Sequence, residues 1–171
     1  MSGKAFILMG VSSTGKTSVG TAVAHRLGLK LIDGDDLHPR ANIIKMGSGT
    51  PLNDEDRKPW LTRINDAAFS LEQKSEKGII ICSALKKQYR DLIRQGNENI
   101  TFLFLQGSFE TVLARMQKRK GHYMKVDMLK SQFDTLETPD LSLEPDVIFI
   151  DIQGDFEQVV EQCVGAIKPL I

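Results

Sequence analysis

Lys16 and Thr17, set behind glycines at positions 10 and 15, carry the clearest chemical signal in this chain. The run Gly10-Val11-Ser12-Ser13-Thr14-Gly15-Lys16-Thr17 fits the pattern G-x-x-x-x-G-K-[ST] at every fixed position. Glycines let the backbone bend so that successive N–H groups of Val11, Ser12, Ser13, Thr14 and Ser18 face inward and cradle phosphate oxygens. A helix opening near Gly15 adds unsatisfied N–H groups and the positive end of its dipole. Lys16 reaches the β- and γ-phosphates, and the Thr17 hydroxyl ligates the Mg²⁺ that they carry. A solvated glycine-rich turn is the bland alternative. It fits less well, because an apolar strand precedes the run and a helical pattern follows it. The motif therefore predicts a nucleoside triphosphate site.

Two places offer an acid at the end of an apolar run. Asp33, Asp35 and Asp36 follow residues 29–32, and Asp151 closes a stretch that looks like a Walker B strand. Phosphoryl transfer needs one carboxylate near the metal and another to orient, or take the proton from, an attacking hydroxyl. Residues 33 and 35 project to the same side if the backbone stays extended. Asp33 is therefore assigned to the metal side, through water, and Asp35 to the base. A solvated turn is the alternative for Asp35 and Asp36. Asp151 is assigned to a strand terminus or the nucleotide side.

A cationic run follows at Arg115, Lys118, Arg119 and Lys120. Arg115 and Arg119 are four apart and share one helix face, so they can clamp an oxyanion. On a flap over the phosphates, an arginine of this kind neutralises charge during transfer, an effect worth ~10³–10⁵ in rate. Arg119 is assigned to the transferring group and Arg115 to the nucleotide. The alternative is a solvated helix end.

The elements that must position these groups alternate regularly. Apolar runs at 5–9, 29–32, 78–82, 100–105 and 146–151 read as buried strands. Between them lie helical patterns: residues 19–27, 39–46, 61–74, 85–95, 109–116, 129–136 and 156–167. Asn53 caps an acidic first turn, and Pro59 is expected to disrupt that helix or open the next. Strands alternating with helices predict an α/β fold, a five-stranded parallel sheet with helices on both faces. Ligands then bind beyond the carboxyl ends of the strands. That rim gathers residues 10–17, 33–36, 82–86 and the segment after 105.

Composition narrows the function classes. The 171 residues suffice for one domain with a full sheet. Lys plus Arg and Asp plus Glu both number 22, so no global field recruits nucleic acid or anionic membrane. No apolar run approaches the ~18 residues of a membrane span. Residues 5–9 are too short for a signal peptide and run into the phosphate loop. Cys82 and Cys163 read as buried hydrophobes in a reducing compartment, which predicts a cytoplasmic protein.

Three further stretches carry a resemblance. Gly34-Asp35-Asp36-Leu37-His38-Pro39 is followed by residues 42–46 and by 49–61, which ends Asp56-Arg57-Lys58-Pro59-Trp60-Leu61. Residues 82–86 with Tyr89-Arg90-Asp91, then 120–124 and Ser131-Gln132-Phe133, continue the pattern. Together they resemble the gluconate kinase family, from the phosphate loop to about residue 139. The resemblance implies an adenylate-kinase-like P-loop NTPase fold with a mobile lid around 115–135. It further implies phosphorylation of D-gluconate on its 6-hydroxyl by ATP, and a homodimer. By similarity to shikimate-kinase relatives, Asp33 and Asp35 fall on an Asp-x-Asp motif serving metal and acceptor. Two departures stand out. Ser13-Thr14 replaces the usual Gly-Ser, and Lys125 stands where proline is usual.

A polyol acid needs hydrogen-bonding groups and a cation. Asp35, His38, Lys45 and Arg57 offer these within one segment. Arg57 is assigned to the carboxylate, with Lys45, Arg90 and His38 behind it. Arg57 pairing with the acidic turn around Asp54 stands as an equal alternative. Rival functions are another small-molecule kinase on the same fold, a GTP-binding switch and a catalytically silent nucleotide binder. Absence of N-K-x-D weighs against the switch.

Overall fold

In the computed structural model, residues 3–118 and 126–171 are described. Five strands form one parallel sheet: β1 (Lys4–Met9), β2 (Lys30–Asp33), β3 (Lys77–Ile81), β4 (Ile100–Gln106) and β5 (Val147–Asp151). Their spatial order is β2-β3-β1-β4-β5, which puts β1 at the centre. The described residues form seven α-helices: α1 (Lys16–Leu27), α2 (Arg40–Gly47), α3 (Asp54–Gln73), α4 (Lys87–Arg94), α5 (Phe109–Lys118), α6 (Val126–Thr135) and α7 (Phe156–Ile167), with α1 and α7 packed on one face of the sheet and α3 and α4 on the other. The parallel sheet expected from the apolar runs is borne out. None of the described helices is long and apolar enough to cross a membrane.

Side chains alternate across a strand, and β1 feeds two cores. Phe6 and Leu8 pack with Val19 and Val23 of α1 and with Val160 and Cys163 of α7. Ala5, Ile7 and Met9 face Leu61, Ile64 and Ala68 of α3 and Ile93 of α4. Fully burying such a side chain stabilises by roughly 1.5–3 kcal/mol, so β1 is pinned on both sides. The loop leaving Met9 therefore starts from a rigid point. Cys82 and Cys163 are buried unpaired thiols, both pushed up to about 12 by burial. They are inert hydrophobes, as expected.

Pro59 does not break its helix, contrary to expectation: α3 runs unbroken through it. Asn53 and Asp56 form a complete capping box at its start, with N–H···O distances of 2.8 and 2.9 Å. Proline forfeits one bond near that capped end, to the carbonyl of exposed Glu55. Buried Trp60, Leu61, Ile64, Ala68 and Leu71 outweigh the roughly 3 kcal/mol penalty.

Candidate active site

The phosphate loop is built on backbone that few residues tolerate. Gly10 has φ +144°, and a Cβ there would come within 2.9 Å of the Leu105 carbonyl. Gly15 takes the left-handed conformation as the N-cap of α1 and supplies no side-chain cap. The first-turn N–H groups of α1 are therefore left for a ligand. Thr14 Oγ1 donates to the Val11 carbonyl at 2.9 Å and braces the loop from inside. Ser13 adopts φ +65°, the conformation that suits the glycine usual in the gluconate kinase pattern. Lys16 Nζ donates to the carbonyls of Gly10 and Val11 at 2.9 and 2.8 Å. Burial draws its ammonium down to about 8, against the opposing pull of Asp35. Thr17 and Ser18 lie exposed in the first turn of α1.

The acidic tip of β2 is arranged differently from the sequence expectation. The chain does not stay extended after Asp33: residues Gly34–Leu37 form a 3₁₀ turn. Asp33 caps it by accepting the Asp35 N–H at 3.0 Å. The two carboxylates are neighbours through this turn and not through strand alternation. Gly34 is obligatory here, since a Cβ would sit 2.1 Å from the Ile81 carbonyl. Burial, then the Asp33 carboxylate, raise the Asp35 carboxyl above its ordinary range. Lys16 and His38 oppose that rise. Asp35 and Lys16 thus influence each other directly, which joins the β2 tip to the phosphate loop.

Behind Asp35 sits a packed acceptor wall. The buried His38 ring stacks on Trp60, centroids 4.3 Å apart and planes within 15°. Trp60 Nε1 donates to the Gly34 carbonyl at 2.7 Å, so α3 fixes both the tip and the imidazole. Asn42 Nδ2 donates to the Asp56 carbonyl at 2.9 Å and lies 3.2 Å from His38 Nδ1. A carbonyl only accepts, which fixes the amide orientation. His38 Nδ1 is then the acceptor, and the neutral ring carries its proton on Nε2. Burial holds the His38 pKa below the ordinary value, with Arg57 adding to it against Asp35.

Arg57 does not pair with Asp54. It donates to the Tyr89 hydroxyl at 3.2 Å, with its guanidinium 5.5 Å from that ring's centre. Asp54 is taken by the Tyr89 hydroxyl, Lys86 and Gln88, bonds that hold its carboxyl down at about 2. Lys45 is paired with Asp56 at 2.5 Å, which neutralises its charge.

Arg90 is the clear departure from the expected substrate set. It is fully buried, and its Nε and one terminal nitrogen grip Glu144 at 2.7 and 2.9 Å. The remaining N–H groups serve the carbonyls of Ala84, Leu85 and Glu137. All five donors are used, so Arg90 has none for a substrate. Arg115 of α5 donates to the carbonyls of Ile152 and Gly154, just beyond β5. Arg119 and Lys125 lie outside the described residues. Asp151 accepts the Gln153 N–H at 2.8 Å, the role of a strand terminus.

Several residues at the site gave no signal by spacing. Asn42 and Trp60 act through His38, and Gln132 of α6 reaches the Ser12 amide. All three stand in the stretches that carry the family resemblance, which marks the segments without assigning these side chains a role.

Known proteins share this sequence pattern and fold. The shikimate kinase family model matches residues 12–168. The thermosensitive gluconokinase of Escherichia coli K12 is 57% identical over 167 residues, covering 98% of this chain and 89% of that protein. The thermoresistant gluconokinase of the same organism is 50% identical, covering 95% of this chain and 93% of the relative. A crystal structure of a gluconokinase from Sinorhizobium meliloti 1021 superposes with a TM-score of 0.86 at 38% identity, covering 98% of this chain and 93% of that one. Shikimate kinase from Aquifex aeolicus, 16% identical with a TM-score of 0.62, shares the fold. With a complete phosphate loop, a carboxylate beside its lysine and relatives of this closeness over nearly its whole length, the chain belongs to the gluconokinase family of shikimate-kinase-like P-loop kinases.

Proposed function

We propose that this protein transfers the terminal phosphoryl group of ATP to the 6-hydroxyl of D-gluconate, giving 6-phospho-D-gluconate and ADP. The observation that carries the reading is that the end of β3 holds both the phosphate loop and the acidic turn: the Gly10 N–H bonds the Ser83 carbonyl at 3.2 Å, and Gly34, beside Asp35, packs on the Ile81 carbonyl. Lys16 and the loop amides hold the β- and γ-phosphate oxygens, except the Ser12 N–H, expected to face phosphate but donated to Gln132. Asp35 orients the acceptor hydroxyl in line with the terminal phosphorus and takes its proton as the new P–O bond forms. The bond to the bridging oxygen breaks, and ADP carries that oxygen away.

The residues present fit Mg²⁺. Thr17 offers an exposed hydroxyl, Asp33 a carboxylate, and phosphate oxygens complete the shell that this ion prefers. When bound, the ion draws charge from the β- and γ-oxygens. Arg57 takes the gluconate carboxylate, and His38 offers its Nε2–H to a sugar hydroxyl. Lys45 acts at one remove, through its pair with Asp56. Arg115 belongs to the nucleotide side, beyond β5. The family reading extends to a lid around 115–135, whose flanks α5 and α6 are packed on the core, with Arg119 at the transferring group, and to a cytoplasmic homodimer.

A coupled ADP-release assay across D-gluconate, shikimate and nucleoside monophosphates tests the acceptor. Turnover with gluconate alone is expected. Turnover confined to another acceptor would overturn the reading.

A further inference from the structure

One donor of the phosphate loop is already spoken for by a side chain from the far end of the sequence. The Ser12 N–H donates to Gln132 Oε1 at 2.6 Å. A backbone N–H only donates, so the atom facing it is the carboxamide oxygen and the NH₂ is the outward end. The helix that carries Gln132 is well anchored. Leu129, one turn before it, is fully buried in the core shared with α1 and α7. Phe133, next to it, meets Phe109 of α5 edge-to-face at 5.5 Å. One turn later the Glu137 N–H bonds the Leu85 carbonyl at 2.8 Å, and Glu137 Oε1 accepts the Lys87 N–H at 2.8 Å. α6 is therefore tied both to the sheet core and to the β3–α4 segment, and its carboxamide is held against the loop by packing.

We propose that Gln132 is a substrate-contacting residue of the phosphate site, whose NH₂ donates to a terminal-phosphate oxygen of bound ATP while its oxygen keeps the Ser12 N–H. The inference rests on the ATP-dependent reading above. Its physical basis is relay. The Ser12 N–H polarises the carboxamide, which strengthens the donors at its other end. The cradle is thereby extended one side chain outward, towards the oxygens that exist in ATP and not in ADP. A hydrogen bond to a charged oxygen is worth about 1.5–3 kcal/mol, roughly a tenfold to hundredfold effect.

The test compares wild type, Gln132→Ala and Gln132→Glu by nucleotide binding without acceptor, by amide hydrogen exchange at Ser12 and by gluconate turnover. Gln132→Ala should weaken ATP at least tenfold, leave ADP within twofold and speed Ser12 exchange. Its kcat should fall tenfold to a hundredfold. Gln132→Glu keeps an acceptor for Ser12 and loses the donor, so Ser12 stays protected while ATP still weakens. Tighter binding of both nucleotides by Gln132→Ala would overturn the proposal, because it would make the glutamine a plug. Equal binding of ATP by wild type and both variants would overturn it too. A wild type that turns over no gluconate, yet shows the ATP-selective loss in Gln132→Ala, sinks the acceptor reading and leaves this one standing.

Discussion

Arg90 and Glu144 form a doubly bonded ion pair in the interior, at 2.7 and 2.9 Å, with the arginine fully buried and the glutamate 2% exposed. The pair ties α4 to the segment ahead of β5, and Arg90 also holds the carbonyls at the end of β3 and after α6. Removing one partner strands a buried charge, which costs about 3–5 kcal/mol. Glu144→Gln should lower the free energy of unfolding by that order, read as a lower urea midpoint at unchanged slope, while the folded fraction keeps the gluconate KM of wild type. A KM rise with unchanged stability would return Arg90 to the substrate site.

Activity should fall on both sides of neutrality. Lys16 is charged below about pH 8 and loses its proton above it, so kcat/KM for ATP should decline as pH rises through that value. Asp35 must be ionised to accept a proton, and its pKa is raised by burial and by Asp33. The acid limb should therefore lie above the ordinary aspartate range and move down in Asp33→Asn, which removes the neighbouring charge. An acid limb that does not move in Asp33→Asn would exclude Asp35 as its source.

Ser13 holds a left-handed backbone, which costs a residue with a side chain roughly 1–2 kcal/mol. Ser13→Gly should raise thermal stability by up to about 1 kcal/mol, since glycine's extra freedom in the unfolded chain offsets part of the gain. Calorimetry checks it. A lower melting temperature would mean that the serine side chain contributes contacts that exceed the strain.

Arg57→Ala should raise the gluconate KM at least tenfold with a smaller change in kcat, and leave ATP binding alone. Steady-state kinetics with each substrate varied separates these. An unchanged gluconate KM would move the carboxylate contact to another cation.

The sheet was legible because its strands are short and apolar between turn residues; each strand boundary falls within a residue or two of where the pattern puts it. The phosphate loop was legible because every fixed position and both flanks agreed. Local rules failed where tertiary contacts decide. Pro59 reads as a breaker, yet a capped start and five buried side chains carry α3 through it. Asp33 and Asp35 read as strand alternation, but Asp33 caps a 3₁₀ turn that starts at Gly34, where only a glycine fits against Ile81. Arg90 reads as a site cation because its partner Glu144 is 54 residues away. Gln132 meets the loop across 120 positions, and no periodicity reports such a contact.

The most direct test of the chemistry is ³¹P NMR of purified protein with ATP, Mg²⁺ and D-gluconate, followed by the same experiment with Asp35→Asn. Wild type should convert ATP to ADP with stoichiometric growth of one phosphomonoester, coupled to the protons on C6. Asp35→Asn should slow that conversion about 10²–10⁴-fold with ATP still bound. ATP left intact, or split to ADP and inorganic phosphate with no sugar ester, would contradict the transfer, and a fully active Asp35→Asn would contradict the base.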